Sequence, residues 1–169
     1  MERMGSMEQK VSRVIRACVE MGDRNPIVSI HDQGAGGSCN VLKEIVDPQG
    51  ARIDIRAIPV GDETLSVLEI WGAEYQEVDA LLLRPEHADL FKSLCNREKI
   101  LVAFVGKVTG DGQIQVFDSQ DGSTPVDMSL DKVLGDMPQK VFELERRPMG
   151  TTPLELPSDI TVKGCLERV

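Results

Sequence analysis

The feature that most constrains this chain is a cluster of three glycines, Gly34-Ala35-Gly36-Gly37, set between a short apolar strand and a helix. Asn25-Pro26 forces an extended entry, and Ile27-Val28-Ser29-Ile30 reads as a buried strand. Val41, Leu42, Ile45 and Val46 then mark a short helix that must end before Pro48. The connection His31-Asp32-Gln33-Gly34-Ala35-Gly36-Gly37 is therefore a strand-to-helix turn whose backbone can pass close to another group. The N–H groups at the helix start can also receive an anion. No Lys-Ser/Thr pair follows and the glycine spacing is not that of a dinucleotide fingerprint, so neither nucleotide motif applies. Asp32 stands at the C-terminal end of the strand, where α/β ligand sites concentrate, and a carboxylate there suits Mg²⁺. The residues alone leave a tight structural turn and a ligand site equally open. His31, a lone histidine ending a strand, reads as a hydrogen-bonded structural residue ahead of a general base.

Around this turn the pattern alternates between helix and strand. Val11, Val14, Ile15 and Cys18 predict a helix over 7–22, with Ser6 and Gln9 as a capping box and Gly22 as a stop. Residues 51–58 alternate strictly and predict a half-exposed strand. Leu65 to Trp71 predicts a short helix, 80–83 a buried strand, and Pro85 the first turn of a helix reaching about Arg97. Two apolar runs, 101–105 and 114–117, flank Gly110-Asp111-Gly112 and predict a hairpin. Asp121-Gly122 predicts a turn into a strand at 124–127, and Leu130, Val133 and Leu134 one or two helical turns. Beyond Phe142, Arg146-Arg147-Pro148 and Thr151-Thr152-Pro153 have linker character. Residues 160–169 begin another helix with nothing after it to pack on, which suggests truncation. The expectation is one α+β domain over 7–136, with a mixed, largely antiparallel sheet and flanking helices, then a linker and the start of a missing domain over 137–169.

Composition narrows the partners. Acidic residues outnumber basic ones, 28 to 19, for a net charge of −9. That disfavours nucleic acid and anionic membrane surfaces, although a small phosphorylated substrate remains compatible if a bound Mg²⁺ offsets local charge. Cys18, Cys39, Cys95 and Cys165 form no CxxC pair and lie away from both His31 and His87, so a structural zinc is not expected. Cys18 reads as a small buried apolar residue, and His87 as a surface residue. With no signal peptide and no long apolar run, the expectation is a cytoplasmic protein with reduced thiols.

A second cluster, Glu69-Ile70-Trp71-Gly72-Ala73-Glu74-Tyr75-Gln76-Glu77, holds the single Trp and the single Tyr of the chain. Taken alone, it is a helix packing by its Trp with a solvated acidic end. Asn25-Pro26-Ile27 through Gly37, Asn40-Val41-Leu42-Lys43-Glu44, Leu68 through Glu77 and Val133-Leu134-Gly135-Asp136-Met137-Pro138 nevertheless resemble, in colinear order, the phosphoribosylformylglycinamidine synthases. The large single-chain form is the nearest in pattern. The resemblance implies the C-terminal-type domain of the first of two synthetase halves, with the α+β fold of the aminoimidazole ribonucleotide synthetase superfamily.

It also implies a chemistry. The family uses ATP to activate the formamide oxygen of formylglycinamide ribonucleotide as an iminophosphate, which ammonia from a separate glutaminase domain displaces. Asp32 matches an Mg²⁺ ligand, and Glu74, Tyr75 and Gln76 a substrate-contacting Glu-Ser-Gln segment in which Tyr75 replaces the serine. With Asp32 so placed, the turn of Gly34, Gly36 and Gly37 reads as an Mg²⁺–phosphate corner, while the phosphate-binding glycine segment of the family's nucleotide domain is absent. A substrate-binding Gln that usually precedes the first helix has no counterpart around Met1–Ser6. No catalytic residue matches: the nucleotide domain's histidine and the glutaminase Cys-His-Glu set are absent, so the chain alone is expected to be inactive. Its partners would be the remaining domains of a full-length enzyme, and uncovered apolar surface could drive self-association. The competing readings are a related superfamily phosphotransferase domain and a non-catalytic binding module derived from the same domain.

Overall fold

The computed structural model describes residues 4–75, 77–135, 139–148 and 150–168. The chain folds as two units, Met1–Asp136 and Met137–Val169.

The first unit is built on two apolar cores that share a β-ribbon. The ribbon is β1 (Ile27–Asp32) paired antiparallel with β3 (Asp79–Leu83), Ile30 opposite Leu81 and Asp32 opposite Asp79. On one side lie α1 (Met4–Val19) and α4 (Ala88–Glu98). Their Val14, Cys18, Phe91, Leu94 and Cys95 form a core against which Ile27, Leu81 and Leu83 pack. Leu82 points the other way, into the second core. Successive side chains of a strand face opposite sides, so the unbroken apolar run at 80–83 reflects burial on both faces.

The second core lies beneath a four-stranded sheet of order β4-β2-β5-β6, made of β2 (Ala51–Asp54), β4 (Gly106–Val108), β5 (Gln113–Phe117) and β6 (Val126–Ser129). Only the β2–β5 pair is parallel, so the sheet is mixed and largely antiparallel, as expected. Ala51, Ile53, Ile114 and Val116 line its inner face with Ile55, Val46, Ile70, Trp71 and Leu130. These come partly from α3 (Val67–Gly72) and α5 (Leu130–Leu134), and α2 (Gly37–Ile45) packs Cys39, Leu42 and Ile45 against them.

Four expectations need correction. The strand at 27–30, expected to be buried, alternates instead: Val28 and Ile30 are 61% and 40% exposed, because only the other face of β1, through Ile27, packs on a core. The first helix spans Met4–Val19, which puts Ser6 inside its first turn instead of at its cap. Gly22, at φ +57°, opens a separate 3-10 turn, Gly22–Arg24. The strand expected over 51–58 stops at Asp54, whose Oδ1 accepts the Arg56 N–H at 3.0 Å and starts a 3-10 turn over Ile55–Ala57. The local side chain-to-backbone bond outcompetes the alternating pattern.

The hairpin is also absent. Residues 101–105 form no strand, and β4 and β5 do not pair with each other, because β2 lies between them. Residues 109–112 instead cross the start of β2, where the Thr109 N–H donates to Gly50 O at 3.1 Å and the Gly112 N–H to Gln49 O at 3.0 Å. Gly106 makes the insertion possible, since a Cβ there would overlap the Arg52 carbonyl.

The turn after β2 sends Arg56 onto Asp118, Nη2 to Oδ2 at 2.7 Å and Nε to both oxygens at 3.0 Å. Asp118 is only 1% exposed. Hydrogen bonding to the Arg56 guanidinium holds its carboxyl below the ordinary aspartate range, against the opposing pull of burial. A depressed folded-state pKa stabilises the fold fully above the unfolded value, and that contribution disappears as pH falls through the folded one. Asp118→Asn is therefore expected to lower the urea midpoint near neutral pH, with the gap to wild type closing below about pH 3–4. A gap that persists undiminished at pH 2 would contradict this account.

In the second unit, α6 (Val162–Leu166) is capped by Thr161 Oγ1, which accepts the Gly164 N–H at 3.1 Å. This helix falls within the expected 160–169 segment. The other described residues of the unit are irregular, and Phe142, Leu144 and Leu154 are largely exposed.

Candidate functional site

The glycine-rich turn meets the chain at Ala73, Tyr75 and Val78, some forty residues on in sequence. Asp32 ends β1, exposed, and Gln33 extends the ribbon by one bond, its N–H donating to Val78 O at 2.8 Å. The Gln33 side chain then joins two segments: its Oε1 accepts the Tyr75 N–H at 3.1 Å and its Nε2 donates to Ser38 Oγ at 3.1 Å. Ser38 is buried in the first turn of α2. The turn itself is closed by Gly37 N–H to Gly34 O at 3.0 Å and by Asn40 Nδ2 to Ala35 O at 3.0 Å.

The three glycines do different things. Gly34 is exposed with open space where a side chain would stand, and Gly36 takes φ +88° as the residue capping α2. Gly37 is buried at φ +60°, pressed against the Ala73 carbonyl so closely that a Cβ would overlap it. Its missing side chain is what lets the turn lie on the segment after α3.

That segment starts from a well-made helix. Ser66 and Glu69 form a reciprocal capping box, so Glu69 is committed to the helix start and not to the site. Trp71 is buried in the core while Glu74 is exposed and Tyr75 half-buried. The third predicted residue of this group, Gln76, lies outside the described residues.

Two features of the corner escaped sequence reasoning. One is Gln33, the single carboxamide of the turn, a planar group that donates and accepts at once and can tie two backbones together. The other is Asp79, placed directly across the ribbon from Asp32. Partial burial, then the charges of Asp32 and Glu77, push its carboxyl up. A charged residue opening an otherwise apolar strand was the available signal. Like charges facing each other across a strand pair are unfavourable, and a cation between them would relieve the repulsion.

The donor set fits Mg²⁺ as a partial shell. Among the described residues no group of three His, Cys, Asp or Glu side chains could enclose a metal. Mg²⁺, however, commonly takes one or two carboxylates and completes its shell with water and substrate phosphate oxygens. His31 lies toward α2, its Nδ1 3.7 Å from Glu44 Oε2, beyond hydrogen-bonding distance. All four cysteines are free, Cys18 and Cys95 buried and Cys165 exposed. No described helix is long and apolar enough to cross a membrane.

Comparison with known proteins gives this geometry a family. Residues 2–119 match the model for AIR synthase related protein, C-terminal domain. The chain is 52% identical to a probable phosphoribosylformylglycinamidine synthase of Arabidopsis thaliana, 53% to that of Dictyostelium discoideum and 49% to that of Homo sapiens, each over 96% of this chain. It spans only 12–13% of the length of these relatives. Among solved structures, Thermotoga maritima PurL complexed with ATP superposes with a TM-score of 0.67 at 18% identity, covering 92% of this chain and 27% of that one. The same protein complexed with FGAR gives 0.66 at 19% identity, covering 92% and 26%. These likenesses establish the fold. The chain belongs to the AIR synthase related proteins, as their C-terminal domain, and its relatives are phosphoribosylformylglycinamidine synthases.

Proposed function

We propose that this chain is a domain of a phosphoribosylformylglycinamidine synthase and forms one wall of its active site. The observation that carries the reading is the joining of the glycine-rich turn to the chain at Ala73 and Tyr75 through Gln33 and Gly37. A phosphate-and-metal corner and a ribonucleotide-binding segment must be adjacent if one substrate is to bridge them. In such an enzyme, formylglycinamide ribonucleotide, ATP and glutamine become the amidine, ADP, phosphate and glutamate.

Asp32, with Asp79 opposite, would hold Mg²⁺. When bound, the ion offsets phosphate charge that this acidic corner would otherwise repel. Gly34 and Gly36 leave backbone free of side chains beside the start of α2, the end of a helix that favours anions. Glu74, Tyr75 and Gln76 are assigned to the ribonucleotide. Tyr75 has its main-chain N–H engaged by Gln33, which leaves its carbonyl oxygen and its phenol to contact the ribonucleotide. The reading gives this wall binding and orientation only, with the bond-making groups, most ATP contacts and ammonia supply elsewhere in the full-length protein. A reducing, cytoplasmic setting agrees with four free thiols.

Asp32→Asn tests the assignment in two opposite directions. Removing one of two facing carboxylates is expected to stabilise the metal-free chain by about 0.2–1 kcal/mol. The same change should abolish the Mg²⁺ dependence of ribonucleotide binding in calorimetry. An unaltered Mg²⁺ response would remove Asp32 from the metal site. ATP turnover by the purified chain above an Asp32→Asn control would show that the wall carries chemistry after all.

A further inference from the structure

We propose that Gln33 is a positioning residue that fixes the backbone at Tyr75 and at Val78, so that ribonucleotide affinity depends on a side chain one step behind the binding surface. The proposal rests on the reading of Glu74, Tyr75 and Gln76 as ribonucleotide-binding. Three bonds meet on this one residue. Its main-chain N–H donates to Val78 O at 2.8 Å, its Oε1 accepts the Tyr75 N–H, and its Nε2 donates to the buried Ser38.

The two backbone groups it holds, at 75 and 78, bracket Glu77, which takes φ +57°. A non-glycine residue in that left-handed region is uncommon and persists only where its surroundings over-determine it. Gln33 supplies that determination from both sides, and Ser38 fixes the Gln33 amide in turn to the first turn of α2. The carboxamide is well matched to the task, since one planar group must accept from one segment and donate to another. Gly37 supports the same docking by contact, but it has no polar side chain with which to set the conformation.

The test is amide exchange by NMR together with calorimetric titration of formylglycinamide ribonucleotide in the presence of Mg²⁺, on the 169-residue chain. Gln33→Met keeps the length and removes both side-chain bonds. Gln33→Glu keeps an acceptor for the Tyr75 N–H and can accept from the Ser38 hydroxyl. In Gln33→Met the Tyr75 amide should exchange faster and the ribonucleotide should bind about three- to tenfold more weakly, the value of one net hydrogen bond. Amides of α4 and β5 should keep their protection, which separates positioning from general loosening. Gln33→Glu should restore slow exchange at Tyr75.

Unchanged Tyr75 exchange in Gln33→Met overturns the proposal, as does faster exchange with undiminished affinity. If the wild-type chain takes up no ribonucleotide while Tyr75 exchange still depends on Gln33, the ribonucleotide reading falls and the hold of Gln33 on Tyr75 stands.

Discussion

Replacing Gly37 with alanine is expected to destabilise the chain by more than about 2 kcal/mol, because two penalties coincide at one atom. A side chain in the left-handed region costs about 1–2 kcal/mol by itself. The new Cβ would also overlap the Ala73 carbonyl, which is backbone and cannot swing aside as a flexible side chain would. Either α2 shifts outward or the segment after α3 gives way, and both pull the two halves of the proposed site apart. Neighbouring glycines provide internal controls. Gly34→Ala meets open space at an ordinary φ and should stay within about 0.5 kcal/mol of wild type. Gly36→Ala should fall between them, with φ +88° but only the Asn40 side chain in the way. Urea denaturation of the three variants gives the order directly. Equal midpoints for Gly34→Ala and Gly37→Ala would mean that the turn does not rest on Ala73.

Trp71→Ala should be the most damaging core substitution near the site, costing about 3–5 kcal/mol. Trp71 is buried, 8% exposed, in the core beneath the four-stranded sheet, and it fastens a helix of only six residues. A helix that short does not hold itself together. Its capping box contributes on the order of 1 kcal/mol, so burial of the indole is the larger of the two effects. Losing it should free α3 and, with it, the Ala73–Tyr75 backbone against which Gly37 and Gln33 are set. Because Trp71 is the only tryptophan, the variant must be followed by far-UV circular dichroism, while wild type can also be read by fluorescence. A midpoint shift smaller than that of Gly37→Ala would show that the segment is held mainly from the glycine side.

Local signals reached a good part of this structure. The apolar run before the glycines became β1, and the helical spacing of Val14 and Cys18 buried both residues as expected. Pro85 opens the turn that leads into α4. The strand at 51–58 failed at Asp54, because alternation is blind to a side chain that captures the backbone two residues on. The hairpin failed for a different reason. Turn signals describe what joins consecutive segments, and they carry no information about a third strand entering between them.

The candidate site divides in the same way. Asp32, Gly34, Gly36 and Gly37 were legible as a possible ligand turn from residue type and order, whereas Glu74 and Tyr75 became site candidates only through the family resemblance; each group lies within a few residues of chain. That they face one another, that Asp79 stands across from Asp32, and that Gln33 ties the turn to Tyr75 came only from the tertiary fold. Sequence by itself determined the local conformations, the charge balance and the chemical types available, because these depend on neighbours along the chain. The pairing of β1 with β3 and the approach of Gly37 to Ala73 were decided by burial in two shared cores. Those cores bring together side chains separated by tens of residues, and no local pattern specifies which of them will meet.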